Sequence, residues 1–245
     1  MKERPRCWVK RKWIKIICVT TGLLCLLICI SLKCLSQKER SARQFFTESE
    51  DCVSPVNFEA LRELNEDIYA WLYIPGTEIS YPILQCPDDD TYYLQRNMYG
   101  KSDSNGAIYT EAGYNSTDFT DPVTVIYGQN LKSGEMFGSL QSAYSSKEAL
   151  EKFSEIVVYL PDRELHYTVF AAVPFDNRHI LYNYDFTDQR TFRLFFKEIL
   201  SVRALESVFA ENVSIQADDT ILILSTHLKG DSIKRFLVCA KLSCS

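Results

Sequence analysis

Residues 221–238 read ILILSTHLKGDSIKRFLV, two apolar stretches separated by a short polar one. Each apolar stretch predicts a strand, and the Lys-Gly-Asp-Ser segment at 229–232 is a turn signal between them. The sequence therefore predicts an antiparallel hairpin that places His227 beside Arg235, eight residues further on. The positive charge of Arg235 should then lower the pKa of the His227 imidazole.

The rest of the C-terminal part predicts a mainly β domain with further short strands. Pro75 and Gly76 mark a turn between two of them. A second turn signal, residues 161–164, joins two others. The predicted strands lie in the segments WLYIPGTEISYPILQ (71–85), GAIYTE (106–111), PVTVIYG (122–128), SEIVVYL (154–160), HYTVFAAV (166–173), DTILILST (219–226) and KRFLVCAKL (234–242). We expect a closed or nearly closed β-barrel of about eight strands with peripheral helices.

Three segments predict helices around this barrel. The first follows a cap at Asn57 and places Phe58, Leu61, Leu64 and Ile68 on one face. The second follows Asn130 and is amphipathic around Met136, Phe137 and Leu140. The third begins near Thr187 or Asp188, and we expect its residues Phe192, Phe195, Phe196 and Ile199 to pack in the core.

The N-terminal part has the features of a membrane anchor. Residues 16–32 carry no charge, and seven Lys or Arg residues precede them. We expect a cytoplasmic basic tail (1–15), a transmembrane signal-anchor (16–32), a stalk (33–54) and a barrel domain (55–245). The chain would cross the cell membrane once, with its N-terminus in the cytoplasm and its C-terminal domain outside. A cleaved signal peptide is the alternative, although Lys33 and Cys34 offer no small-residue cleavage site.

Charge and cysteine content exclude several classes of protein. From Gln44 onward there are 16 Lys or Arg residues against 30 Asp or Glu residues, a net charge of −14, which argues against a nucleic-acid partner. Of the nine cysteines, five lie in or beside the apolar segment, and Cys52, Cys86, Cys239 and Cys244 remain in the part expected outside the membrane. Their disulfide pairing is open. No cysteine or histidine spacing indicates a metal site, and no cofactor is expected.

Several motifs in order carry a family resemblance. The segment VIYGQNLKSGEMFGSL (125–140) is followed by LSTH (224–227) and KRFLV (234–238). They resemble class B sortases, membrane-anchored cysteine transpeptidases of Gram-positive bacteria, which read Y-G-H-N with M-F-x-x-L, then L-S-T-C, then R-F. The segment NEDIYAWLYIPGTEISYPILQ (65–85), the Tyr92-Tyr93-Leu94 triplet and the helix from Thr187 also match, so that the resemblance covers about residues 57–242.

The resemblance implies a catalytic site with two of its three members replaced. In the family a Cys thiolate attacks the sorting signal, a His protonates the leaving amine, and an Arg steadies the substrate and the developing oxyanion. The Arg position is Arg235, but the His position holds Gln129 and the Cys position holds His227. The resemblance also implies that Asn130, Ser225 and Thr226 bind the substrate. Some family members favour an Asn-Pro-x-Thr signal.

Three functions remain open at this point. The first is an inactive pseudo-sortase that binds a sorting-signal peptide or pilin, or modulates an active sortase. The second is an active transpeptidase or peptidase that uses His227 or another group. Cys239 is not expected to be that group, because a core or disulfide role is the simpler interpretation of it. His179 is a better candidate than His166 for reaching the groove mouth. The third is a structural surface or pilus-assembly protein.

Overall fold

Nine strands and five α-helices build the part of the chain that the structure, a computed structural model, describes: residues 54–243. The strands are β1 (Ile68–Tyr73), β2 (Ser80–Leu84), β3 (Ile108–Tyr109), β4 (Val123–Tyr127), β5 (Glu155–Tyr159), β6 (Glu164–Phe175), β7 (Val208–Phe209), β8 (Ile221–Leu228) and β9 (Asp231–Leu242). The helices are α1 (Phe58–Leu64), α2 (Leu140–Ala143), α3 (Lys147–Lys152), α4 (Ile180–Asn183) and α5 (Gln189–Ser201), and residues Tyr92–Leu94 form a 3₁₀ turn.

Eight of the strands close into a barrel in the order β1-β2-β3-β4-β8-β9-β6-β5, because β5 pairs with β1 as well as with β6. The ninth strand, β7, pairs only with β6. Strand β6 can serve three partners because it is 12 residues long and has an irregularity between Val169 and Ala171. The closed mainly β-barrel predicted from the sequence is confirmed, whereas the two-residue β7 was not predicted.

Both predicted turns are present. Gly76 has φ +78° at the β1–β2 turn, a left-handed backbone that favours glycine. Arg163 closes the β5–β6 hairpin, where its carbonyl accepts a 2.8 Å hydrogen bond from the Leu160 backbone N–H. Each turn lets its two strands pair antiparallel, as expected.

Two of the three predicted helices need correction. Asn57 does cap α1, since its Oδ1 accepts a 3.0 Å bond from the Ala60 N–H. The helix ends at Leu64, which is 44% exposed, and Ile68 already belongs to β1. After Asn130 the expected helix is wrong: Met136 has φ +52°, and helical structure there is the single turn of α2.

The third helix is confirmed. The Asp188 side chain caps α5 by accepting from the backbone N–H groups of Arg190 and Thr191. The four residues predicted to pack in the core, Phe192, Phe195, Phe196 and Ile199, are all buried. They cover the outside of the barrel wall, where they meet outward-facing residues such as Val125, Ile223 and Cys239. A separate set, with Leu224, Phe236 and Val238, fills the barrel interior.

Within residues 54–243 no helix is long and apolar enough to cross a bilayer. The predicted tail, anchor and nearly all of the stalk, together with Cys52 and Cys244, lie outside the described residues. The predicted site residues all lie in the described part, which consists of the barrel with α5 packed against its outer side.

Candidate functional site

The predicted site residues meet at one end of three neighbouring strands. Strand β4 pairs parallel with β8, with Tyr127 opposite Ser225, and β8 pairs antiparallel with β9, with His227 opposite Arg235. Gln129 follows Tyr127 by two residues, as His227 follows Ser225, so the three strand ends bring Gln129, His227 and Arg235 together. The hairpin predicted from residues 221–238 is confirmed.

The path of the chain into Gln129 depends on Gly128. A Cβ atom at Gly128 would lie 2.5 Å from Ile108 Cδ1 and 2.6 Å from Phe137 Cδ2, closer than such atoms approach in real structures. The Gly128 N–H also donates to the Ser225 carbonyl at 3.2 Å, which keeps the segment alongside β8. Because Gly128 has no side chain, the backbone that leads into Gln129 can pass between Ile108 and the Phe137 ring.

Gln129 and Asn130 make different contacts. The Gln129 Nε2 donates to the Leu94 carbonyl at a long 3.4 Å, so its amide is only weakly held. The Asn130 Nδ2 donates to the His227 carbonyl at 2.7 Å. Asn130 therefore positions the end of β8, and with it the His227 side chain.

His227 is half-buried, and its ring nitrogens have no hydrogen-bond partner among residues 54–243. The expected direction of its pKa is confirmed. Burial lowers the pKa of the imidazole below its usual value of 6.5, and the positive charge of Arg235 lowers it further. The larger cause, burial, was not anticipated from the sequence. At neutral pH His227 is an uncharged imidazole with free ring nitrogens.

Arg235 is held from the β6 side. Its Nε donates to Asn177 Oδ1 at 3.1 Å, and Phe175 lies opposite it on β6. The two terminal nitrogens of the guanidinium make no hydrogen bond or ion pair with any residue of the described part. Arg235 can therefore donate to an acceptor that enters the site from outside.

Ser225 and Thr226 are both buried, but they face opposite sides of the barrel wall. Ser225 shares the outer face with His227. Thr226 pairs with Phe236 of the barrel interior, and its hydroxyl is fully buried with no hydrogen-bond partner in the described chain. Of the two, Ser225 lies on the site's own face.

A buried acidic group near this site was not predicted. Glu111 follows β3, and its Oε1 lies 3.0 Å from His179 Nε2. Burial raises the pKa of the Glu111 carboxyl, and the His179 interaction opposes that rise. Tyr127 is close by: burial and the Glu111 charge both raise the pKa of its hydroxyl, and its ring stacks on Tyr109 at 5.5 Å. The sequence signal that could have identified Glu111 is its position as an acidic residue just after the apolar segment of β3.

His179 reaches the neighbourhood of the site but is already engaged on both ring nitrogens. Its ring centroid is 6.4 Å from that of Tyr127. Its Nδ1 accepts a 3.0 Å hydrogen bond from the Tyr182 N–H and so caps α4. In the neutral ring the proton is then on Nε2, which donates to Glu111. His179 has no free nitrogen with which to act as a base.

The other candidate groups lie elsewhere. Cys239 is a free thiol, completely buried under α5, and burial raises its pKa. This confirms a core position for it. Cys86, also free, packs against the cluster of α1 residues. His166 lies between Glu155 and Glu164, whose hydrogen bonds raise its pKa.

The histidine titrations provide a test of the site's electrostatics. We expect the His227 ring in an NMR titration to have a pKa below 6.5, so that the imidazole is neutral at pH 7. Arg235→Gln should raise this pKa but leave it below 6.5, because the burial remains. His166 should titrate above 6.5 in the same spectra and stay unchanged in the variant. A His227 pKa that does not respond to Arg235→Gln would contradict the predicted side-by-side placement.

The chain is similar in sequence to sortase B proteins. No family model matches the chain. Sortase B of Listeria monocytogenes is 31% identical over 166 residues, which represent 68% of this chain and 65% of that protein. The chain thus spans slightly less than two thirds of the length of this relative.

Solved structures share the fold. A crystal structure of sortase B from Bacillus anthracis has a TM-score of 0.69 and 26% identity, and the match covers 84% of this chain and 94% of that one. A complex of Staphylococcus aureus sortase B with substrate has a TM-score of 0.68 and 24% identity, and the match covers 86% of this chain and 94% of that one. The barrel and its crossing helix are therefore those of a known fold.

Proposed function

The chain belongs to the class B sortase family, and from this membership we propose that it is a pseudo-sortase that binds a sorting-signal peptide without cleaving it. The observation that carries the proposal is the imidazole of His227 beside Arg235, where the family resemblance implies a thiol. In this proposal Gln129 takes the place of the acid that protonates the leaving amine. Its amide does not titrate near neutral pH and cannot donate that proton.

No other thiol of the described chain can replace the missing nucleophile. Cys239 is buried and its raised pKa keeps it protonated, whereas a cysteine attacks as the thiolate. Cys86 follows β2, and two strands, β3 and β4, lie between β2 and the β8 strand that carries His227. Both facts support a site without covalent catalysis.

Peptide binding is supported by what remains at the site. The free terminal nitrogens of Arg235 suit a peptide carbonyl, and the weakly held Gln129 amide can both donate and accept. The solved substrate complex of S. aureus sortase B gives a relative of the same fold in which a substrate is bound. We assign the same role, peptide recognition, to the site of this chain.

The location follows from the N-terminal sequence. We assign residues 16–32 to a single membrane anchor, with the barrel domain outside the cell and facing the wall. There the protein would meet surface proteins that carry sorting signals, and an active sortase would be its second partner. In this proposal the protein binds the sorting-signal peptide and so controls whether the active sortase can reach it.

The test uses full-length protein in neutral-detergent micelles and fluorescent peptides that contain Asn-Pro-x-Thr or other sorting signals. We expect saturable binding and no cleavage. Binding should be at least about tenfold weaker in Arg235→Gln, since a hydrogen bond to a charged group is worth ~1.5–3 kcal/mol. The matched control is Arg62→Gln on α1, an exposed arginine with no ion pair in the described chain. Binding that is absent, or equally weakened in both variants, would contradict peptide recognition.

An active enzyme is the second candidate, and one observation favours it. The His227 imidazole is neutral and has free nitrogens, so it can in principle attack an acyl carbon. The carbonyl π electrons would move onto the oxygen, and the departing amine would need a proton that Gln129 cannot supply. Peptide cleavage that is lost in His227→Ala would establish this function and overturn the pseudoenzyme.

A further inference from the structure

A cavity of about 370 Å³ lies along the outer face of α5 near the end of that helix. Arg193, Lys197 and Arg203 contribute positive charge to its lining. Leu200 and Ile215 contribute an apolar wall. The cavity therefore combines three cationic groups with an apolar surface, and it contains none of the residues placed in the peptide site.

Two of these cations have no acidic partner. Among residues 54–243, neither Arg193 nor Lys197 makes an ion pair or a side-chain hydrogen bond. In other parts of the domain some cations do have acidic partners: Lys241 lies 2.8 Å from Asp219, and Arg178 lies 2.6 Å from Glu198. The positive charge at the cavity is thus left uncompensated in a domain with about twice as many acidic as basic residues.

The third cation is held in place by the helix end. The Arg203 Nη1 donates to the carbonyls of Leu200 and Val202, both at 3.0 Å. These bonds use one nitrogen and leave the Nη2 and Nε hydrogens free. Arg203 is therefore held at the cavity, and its Nη2 and Nε groups can donate to a bound anion.

The arrangement has a cost that an anion would remove. Arg193 and Lys197 are four residues apart on α5, and like charges at this spacing destabilise an isolated helix. Local choices that work against stability are expected mainly where a site binds something. A multiply charged anion with several acceptor oxygens satisfies all three cations at once.

We propose that this cavity binds a phosphate group, carried by a molecule whose apolar part lies on Leu200 and Ile215. Phosphate fits better than a carboxylate because it has more acceptor oxygens and charge, and arginine binds it with two parallel hydrogen bonds. The phosphate could come from a lipid headgroup or from a soluble phosphate compound, and both have the same contacting chemistry. This site is separate from the proposed peptide site and does not depend on it.

The test is calorimetric titration of full-length protein in neutral-detergent micelles with inorganic phosphate, at constant ionic strength set with chloride. We expect saturable binding that is at least tenfold weaker in the double variant Arg193→Gln with Lys197→Gln. The charge-matched control is Arg62→Gln with Lys101→Gln, two exposed cations outside the cavity, and it should bind as the unmodified protein does.

A competition arm distinguishes the two sources. Phosphatidylglycerol added to the micelles should raise the apparent Kd for phosphate if the ligand is a lipid headgroup, while phosphatidylcholine should not. No competition by either lipid, with phosphate binding retained, identifies a soluble phosphate compound. No saturable phosphate binding, or equal loss in both double variants at unchanged Tm, overturns the proposal.

Discussion

The double variant Gln129→His with His227→Cys should cleave sorting-signal peptides that the unmodified protein leaves intact. General acid–base assistance alone contributes a factor of ~10²–10⁴ to such reactions, so we expect cleavage at least ~100-fold above background. The measurement is the initial rate on quenched fluorescent peptides, with full-length protein in neutral-detergent micelles. This gain of function has the largest expected effect because it converts an absent reaction into a measurable one.

The reason lies in the strand register. A cysteine at position 227 would lie opposite Arg235, as the imidazole does now. The same positive charge that lowers the pKa of His227 would lower the pKa of a thiol, because it favours the anion over the neutral form. Arg235 should therefore raise the fraction of reactive thiolate.

A histidine at position 129 would stand next to that thiolate. Gly128 and Asn130 already hold this segment against β8, Gly128 through the Ser225 carbonyl and Asn130 through the carbonyl of residue 227. The donors belong to residues 128 and 130, and the acceptors are main-chain carbonyls. Substituting the side chains of residues 129 and 227 therefore removes neither bond. The new imidazole can protonate the amine that leaves when the thiolate bonds to the carbonyl carbon.

Three matched variants decide whether the gain has this cause. Each single substitution should stay near background, because groups that act together lose most of their effect when one is missing. Addition of Arg235→Gln to the double variant should remove most of the activity. A double variant that binds peptide but does not cut would show that the site has lost more than its reacting groups. Cleavage by the unmodified protein would overturn the proposed pseudoenzyme.

The central hairpin could be predicted because its signals are local. Residues 221–238 contain both strands and the intervening turn, so the register that places His227 opposite Arg235 follows from counting residues across a short loop. The α5 helix was predictable for the same reason, since Asp188 and the four buried apolar residues lie in one continuous segment.

The segment after Asn130 is where the spacing of apolar residues led to a wrong prediction. Its apolar residues have helical spacing, yet Gly134 has φ +87° and Met136 has φ +52°. A Cβ atom at Gly138 would lie 2.1 Å from the Leu131 carbonyl oxygen, so the chain folds back tightly on itself there. This compact turn packs Phe137 under Gly128, a contact between separate segments that spacing does not reveal.

The acidic group near the site could not be predicted for a related reason. Glu111 follows β3 whereas His179 caps α4, and the two are 68 residues apart, so their contact depends on how distant segments assemble around the barrel. Neither residue has a sequence pattern that requires a partner. The motifs identified the reacting positions, whereas the groups that shape their surroundings depend on the full topology.

The second large effect concerns the barrel interior. Phe236→Ala should lower the free energy of unfolding by about 3–5 kcal/mol, because it removes a large side chain and leaves a cavity that the barrel wall cannot fill. Phe236 is completely buried, and its β9 position pairs with Thr226 on one side and Pro174 on the other. Denaturant unfolding of both proteins, followed by circular dichroism in the same micelles, measures the difference.

The matched control is Ile233→Ala, three residues earlier on the same strand and 73% exposed. Its effect should stay within ~0.5 kcal/mol, as for most exposed positions. A loss below ~1 kcal/mol for Phe236→Ala would mean that the interior is not packed around this ring. Because Phe236 faces the interior while His227 and Arg235 face outward, a folded Phe236→Ala protein should keep the low His227 pKa. A His227 pKa that returned to 6.5 would instead show that the outer site depends on the packing inside the barrel.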